Sequence, residues 1–137
     1  MPRPLQILIV EDNLTHQLLT EYILKRSRVD AEFIIVRDGQ EALDYLNRSA
    51  PAGDRPKPNL ILLDLNLPKR DGRELLKLIR ESPEWRVIPV VVVSTSDREE
   101  DVTFAMKTGA VAYISKSSGF DRLSEQLGGI LSYARVY

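Results

Sequence analysis

Short apolar runs at residues 7–10, 60–63 and 90–93 carry hydrophobic side chains at both odd and even positions, and a fourth, weaker run covers 112–115. A strand that is apolar on both faces is covered on both, as in a parallel sheet with helices above and below. The pattern predicts a first strand over 6–10 and a second over 32–36, where Phe33, Ile34, Ile35 and Val36 supply aromatic and β-branched content. A third strand ends at Asp64, a fourth opens after Pro89, and a fifth spans 112–115.

Between the strands the period changes to that of helices. After Asn13, a residue type that caps helix N-termini, Leu14, Leu18, Tyr22 and Ile23 recur at i, i+4, i+8 and i+9 and predict the inner face of a first helix. Asp38-Gly39 opens a second helix through Ala42, Leu43 and Leu46. A third carries Leu75, Leu76, Leu78 and Ile79 and stops near Ser82-Pro83. A fourth carries Val102, Ala105 and Met106 and is ended by Gly109. The last presents Phe120, Leu123, Leu127, Ile130, Leu131 and Ala134 on one stripe, interrupted by Gly128 and Gly129, each costing about 1 kcal/mol against alanine. Residues 49–59 hold Pro51, Pro56, Pro58 and Gly53 and are read as a surface loop. Strand and helix alternate five times, the rhythm of an α/β parallel sheet.

Composition narrows the function classes. A length of 137 residues suits one domain with a single core, taken as 1–137. The net charge of -1 provides no global basic field for nucleic acid or an anionic membrane. No apolar stretch approaches the ~20 residues that span a bilayer, and residues 1–4 lead straight into a strand without the apolar core of a signal peptide. Cysteine is absent, which removes disulfides, thiol catalysis and thiolate metal sites. A cytoplasmic domain with neither nucleic-acid nor membrane partner is expected.

The chemistry sits at the strand ends. Glu11-Asp12 follow the first strand, Asp64 the third and Lys116 the fifth. In an open α/β sheet ligands bind beyond the carboxyl ends of the strands. Glu11-Asp12 taken alone could equally complement the dipole of the next helix. Asp64 could not, because the helix after it begins several residues later. Mg²⁺ takes oxygen ligands, usually one or two carboxylates plus waters and phosphate oxygens. Asp12 and Asp64 can provide carboxylates, Glu11 can act directly or through water, and a main-chain carbonyl near Asn66 can complete the set. Three crowded carboxylates repel, which favours metal uptake or raises one pKa. Lys116 offers a compact cation for a phosphate, and Ser94 a hydroxyl at the end of the fourth strand. An Asp carboxylate can attack phosphorus to give an aspartyl phosphate, with metal and lysine neutralising charge on the transferring group.

Four stretches together carry a family resemblance: Val10-Glu11-Asp12-Asn13; residues 60–72, closing in Pro-Lys-Arg-Asp-Gly; Ser94-Thr95-Ser96; and Tyr113-Ile114-Ser115-Lys116. The chain resembles the response-regulator receiver domain of two-component signalling over essentially its whole length. The resemblance implies a flavodoxin-like, doubly wound (βα)5 fold: a parallel five-stranded sheet of order 2-1-3-4-5 with helices on both faces. It implies that Asp64 is the phosphoacceptor for a sensor histidine kinase, with Mg²⁺ or Mn²⁺ held by Glu11, Asp12, Asp64 and the Asn66 carbonyl. It also implies that Lys116 contacts the phosphoryl group, Ser94 is the switch hydroxyl and Tyr113 the aromatic that changes rotamer. The loop before Asn59 and the Asp-Leu-Asn-Leu-Pro-Lys form resemble regulators partnered with bacterial phytochromes, notably of cyanobacteria. The family places proline in a cis peptide after the lysine, whereas Ser117 stands here. A cis non-proline bond costs roughly 3–4 kcal/mol, which leaves the isomer open.

With no appended output domain, signalling is expected through a surface. Phe104 lies about 200° from Val102 on the fourth helix, so it is expected to face outward. It is then either an ordinary isolated surface aromatic or part of a homodimer or downstream contact on the face of the fourth helix, fifth strand and fifth helix, joined by Tyr133, Val136 and Tyr137. Leu14 and the loops around Asp64 are expected to meet the kinase. His16 is read as facing solvent, with no role. The expected activity is limited to Mg-dependent self-phosphorylation and slow autodephosphorylation. Two competing readings are an unphosphorylated pseudo-receiver scaffold and an Asp-nucleophile phosphatase. The latter needs an acid two residues after the nucleophile, where Asn66 stands.

Overall fold

A computed structural model of the chain describes residues 4–27, 29–49, 53–67 and 71–136, with side chains up to residue 132. Its elements are β1 (Leu5–Val10), α1 (Leu14–Arg26), β2 (Ala31–Val36), α2 (Gly39–Arg48) and β3 (Leu60–Leu63), followed by α3 (Gly72–Glu81), β4 (Val90–Ser94), α4 (Glu99–Lys107), β5 (Ala112–Ser115) and α5 (Phe120–Val136). The strands form one parallel sheet of order β2-β1-β3-β4-β5.

Alternation along the strands divides the core in two. Leu8, Val10, Ile61, Leu63, Val90 and Val92 face α2, α3 and α4, where they meet Ala42, Leu46, Leu75, Leu76, Ile79 and Ala105. Their neighbours Ile7, Ile9, Leu60, Leu62, Val91 and Val93 face Ile23 and Leu24 of α1 and Leu123, Leu127 and Leu131 of α5. Every residue of β3 and β4 is buried, as expected for central strands that a one-residue slip would leave equally apolar. Register is therefore decided by the layers above and below. Val10 pairs with Leu63 and Leu63 with Val92, so the chain leaves β1 and β3 abreast, Glu11 beside Asp64.

Expectations about the faces of three helices are corrected. In α1, Leu14, Leu18 and Tyr22 are 66%, 58% and 50% exposed, while Gln17, Thr20, Ile23 and Leu24 are buried. Gln17 goes inward because its Nε2 donates to the Glu11 carbonyl at 2.6 Å, so burying its amide leaves no orphan donor. In α4, Phe104 is half-buried against the core rather than outward-facing, whereas Met106 is 45% exposed. The cause is Asp101, which is drawn inside by polar partners; residues 101, 104 and 105 share one face at i, i+3 and i+4, so Phe104 and Ala105 follow. Phe120, expected on the inner stripe of α5, is 47% exposed beside Tyr22, with ring centroids 6.3 Å apart. The contacts expected of Tyr133, Val136 and Tyr137, and the inward placement of Ala134, lie outside the described side chains.

Lys116-Ser117 is trans, as are the other described peptide bonds. Instead of a cis proline, the loop makes a 3-10 turn over Lys116–Ser118. Ser115 Oγ accepts from the Ser117 N–H at 3.3 Å and Ser118 Oγ donates to the Ser115 carbonyl at 2.7 Å. Gly119, with φ of 95°, closes the turn.

The Asp71-Gly72 pair of the third-strand motif has a packing reason. Asp71 caps α3 by accepting from the Arg73 N–H at 2.8 Å. A Cβ on Gly72 would lie 2.3 Å from the Asp64 carbonyl oxygen and 2.6 Å from the Leu65 Cα. Only glycine lets α3 begin directly against the backbone that presents Asp64. Gly72→Ala is expected to lower stability in urea unfolding by about 1–3 kcal/mol, the usual cost of overpacking. Gly128→Ala, where a Cβ meets nothing within 4 Å, is expected to raise it by about 0.5–1 kcal/mol.

Candidate functional site

Three strand ends deliver the ionic groups to one place. The Glu11 N–H donates to the Val36 carbonyl and the Asp64 N–H to the Val10 carbonyl, at 3.0 and 3.1 Å, so both acids are held by sheet-like bonds just past their strands. One carboxylate oxygen from each of Glu11, Asp12 and Asp64 lies within 4.8 Å of the others. Glu11 and Asp64 are buried, while Asp12 faces solvent at the mouth.

Lys116 enters from β5 with its side chain only 6% exposed. Its Nζ donates to Glu11 Oε1 and lies 3.3 Å from Asp64 Oδ2. Burying an ammonium is costly unless it is paired, and these two carboxylates pair it. Glu11 Oε2 accepts from the Asn13 N–H at 3.1 Å, and Asp64 Oδ1 from the Asn66 N–H at 3.0 Å. The Glu11 carboxyl titrates above its ordinary range because burial outweighs the help of Lys116 and Asn13, with Asp64 adding repulsion. Burial, rather than the crowding of acids, is thus the larger cause of the raised pKa.

His16 is brought to the site although the sequence reading left it in solvent. It is half-buried, with Nδ1 3.2 Å from Lys116 Nζ and 3.7 Å from Glu11 Oε1. Burial and the adjacent ammonium lower its pKa. The available signal was Asn13: its Oδ1 accepts from the His16 N–H at 3.0 Å as the N-cap of α1, which sets His16 over the strand ends.

Ser94 is fully buried at the end of β4, and its Oγ accepts from the Ser96 N–H at 3.2 Å. Tyr113 is half-buried on β5 and donates its hydroxyl to the Ser96 carbonyl at 2.5 Å; burial raises its pKa. The same loop joins a network that sequence reasoning missed. Ser96 Oγ donates to Asp101 Oδ2, and Arg73 Nη2 donates to Asp101 Oδ1 at 2.5 Å. The other arm of Arg73 reaches Asn66 Oδ1 at 3.5 Å. Arg73 and Asp101 were hard to pick out because charged residues on helices usually face solvent. A hollow of about 470 Å³ opens beside this loop between Asp97, Val102, Tyr113, Ser115, Ser117, Ser118, Arg122 and Gln126. A slightly larger hollow of about 510 Å³ lies along the β2 edge and contains none of the clustered acids.

The donor set fits a hard divalent cation. Three carboxylate oxygens converge, and oxygen ligands with solvent access at Asp12 are what Mg²⁺ or Mn²⁺ requires. His16 does not belong to this cluster.

The fold and these strand-end groups together define a receiver. The response regulator receiver domain family matches residues 7–128, and the chain belongs to it. The response regulator Rcp1 of Synechocystis sp. is 43% identical over 130 residues, 95% of this chain and 88% of that protein. A crystal structure of Mn²⁺-bound Rcp1 superposes with a TM-score of 0.84 over 95% of this chain and 94% of that one, at 43% identity. The phosphorylated cyanobacterial phytochrome response regulator RcpA superposes with a TM-score of 0.85 at 40% identity, over 96% and 94% of the two chains. No helix among the described residues is long and apolar enough to cross a membrane.

The bonds from Ser96 and then Arg73 hold the Asp101 carboxyl below the usual carboxylate range. A lowered pKa contributes stability that is present above the unfolded value and lost as pH falls through the folded value. Asp101→Asn is therefore expected to cost about 1–2 kcal/mol at neutral pH. In urea unfolding followed against pH, that difference should shrink below the ordinary carboxylate range and vanish once native Asp101 is protonated.

Proposed function

We propose that Asp64 accepts a phosphoryl group from a sensor histidine kinase and that the protein signals through its surface as a phosphorylation-controlled module. The observation that carries this reading is the convergence of Lys116 Nζ, 3.3 Å from Asp64 Oδ2, with the three clustered carboxylates. An Asp64 carboxylate oxygen attacks the phosphorus of a phosphohistidine. The P–O bond forms as the P–N bond breaks, and the electron pair leaves on the imidazole, which takes up a proton. Lys116 meets the charge on the phosphoryl oxygens. A cation held by Glu11, Asp12, Asp64 and the Asn66 carbonyl would neutralise the rest, with Mg²⁺ the expected occupant and Mn²⁺ a substitute. Slow attack by water on the phosphorus breaks the Asp64 O–P bond, releasing inorganic phosphate and returning the carboxylate.

Ser94 and Tyr113 act as the readout. When Ser94 Oγ turns to a phosphoryl oxygen, the Ser96 N–H loses its acceptor and the loop that also holds Tyr113 and Asp101 must adjust. The output face is the hollow between α4, β5 and α5, which also suits a second copy or a downstream protein. Phe104 is left out of this face because it is half-buried against the core. The kinase meets Leu14, Leu18 and Tyr22, an exposed apolar stripe of α1 continued by Phe120. A phytochrome-type kinase in the cytoplasm is the expected donor, since RcpA, at 40% identity, is a phytochrome response regulator. The phosphatase reading is weakened by Asn66, which offers no acid or base two residues after Asp64.

Incubation with Mg²⁺ and acetyl phosphate should add one phosphoryl group by intact mass, and Asp64→Asn should abolish the addition; a gain that survives this change removes the reading. Leu18→Arg should lower the ratio of kinase-driven to acetyl-phosphate-driven phosphorylation about tenfold, roughly one lost apolar anchor.

A further inference from the structure

We propose that His16 is a positioning residue for phosphoryl transfer, its unprotonated Nδ1 holding the Lys116 ammonium over Asp64. The proposal rests on the reading of Asp64 as phosphoacceptor. An ammonium has three N–H donors and no acceptor. Lys116 Nζ faces three acceptors: Glu11 Oε1, Asp64 Oδ2 at 3.3 Å and His16 Nδ1 at 3.2 Å. Because Nζ only donates, Nδ1 carries its lone pair and the ring proton sits on Nε2.

The backbone that carries the imidazole is placed by bonds independent of the ammonium. Asn13 Oδ1 accepts from the His16 N–H at 3.0 Å, and the next residue, Gln17, donates its Nε2 to the Glu11 carbonyl at 2.6 Å. The first turn of α1 is thereby tied to the backbone of the acid pair.

What separates His16 from the other two partners is its chemistry. Glu11 and Asp64 both belong to the clustered carboxylates, and His16 does not. Phosphorylation turns the Asp64 carboxylate into a mixed acyl–phosphoryl anhydride, whose uncharged carbonyl is a weaker acceptor, and a cation would engage Glu11. The imidazole then keeps its full acceptor strength on Lys116, neutral and therefore free of competition with the phosphoryl charge. It keeps Nζ directed at the phosphoryl oxygens instead of the solvent beyond Asp12.

His16→Leu removes the acceptor, whereas His16→Asn can place its Oδ1 where Nδ1 stood. Phosphorylation by acetyl phosphate at saturating Mg²⁺, followed by intact mass, should slow roughly three- to tenfold in the Leu variant, the loss of one hydrogen bond to a charged group. The Asn variant should stay within about twofold of native. Mn²⁺ affinity by calorimetry and the thermal midpoint should match native in both, which a merely structural role for His16 would not leave unchanged. In long-range ¹⁵N spectra of metal-free protein, the His16 Nδ1 resonance should carry an acceptor shift that Lys116→Met abolishes. A native rate in His16→Leu, an Asn variant as slow as the Leu variant, or an Nδ1 resonance indifferent to Lys116→Met overturns the proposal. If native protein gains no phosphoryl group while the Nδ1 shift is present, the phosphoacceptor reading fails and takes the proposed role with it, leaving only the contact.

Discussion

Placing carboxylates side by side at the ends of two buried parallel strands is an electrostatic problem that this fold solves with Lys116. Glu11 and Asp64 are both buried, and each would be strongly disfavoured as an anion beside the other without a cation. The ammonium that pairs them comes from 105 residues beyond Glu11 and is itself almost fully buried. Its position depends on β5 pairing with β4 and on the serine-held turn that follows, so the sheet and the pocket are one construction. The pairing leaves Asp12 outside, which keeps the acid cluster open to solvent on one side. An acid cluster that is largely buried and only partly neutralised is suited to a dication.

A second network ties the pocket to the surrounding elements. Asp64 bonds the Asn66 N–H, Asn66 meets Arg73, Arg73 pairs with Asp101 on α4, and Asp101 holds Ser96, whose backbone is bonded to both Ser94 and Tyr113. Each link is a directional polar contact, and together they connect β3, α3, α4 and β5. Movement of the β4–α4 loop therefore cannot be independent of α4. The inward turn of Asp101 also explains why this face presents a polar hollow instead of an exposed aromatic.

Much of the site was legible because its groups are consecutive with strands. An apolar run that ends on an acid identifies both a strand and what it presents, which is how Glu11, Asp12, Asp64 and Lys116 could be named together. His16, Arg73 and Asp101 were not legible. Each sits on a helix surface, where a polar residue is usually solvated, and their importance comes from a partner distant in sequence. Leu14, Leu18 and Tyr22 misled in the opposite direction: their helical spacing suggested an inner face, but Gln17 and Thr20 took that place. Apolar periodicity reports that a stripe exists, and it does not distinguish one that packs on the sheet from one left for a partner.

By itself the sequence determined the elements, the parallel class of the sheet and the identity of the charged strand ends, since these follow from local pattern and from the two-sided burial of apolar strands. The tertiary structure alone decided how each helix is rotated on its sheet face and which side chains reach the ammonium. It also decided that the chain passes Lys116-Ser117 in trans. The reason is that these outcomes turn on competition between polar partners brought together only by folding, such as Asp101 with Arg73 or Gln17 with the Glu11 carbonyl. The energy of such contacts is set by burial and distance, neither of which local pattern contains.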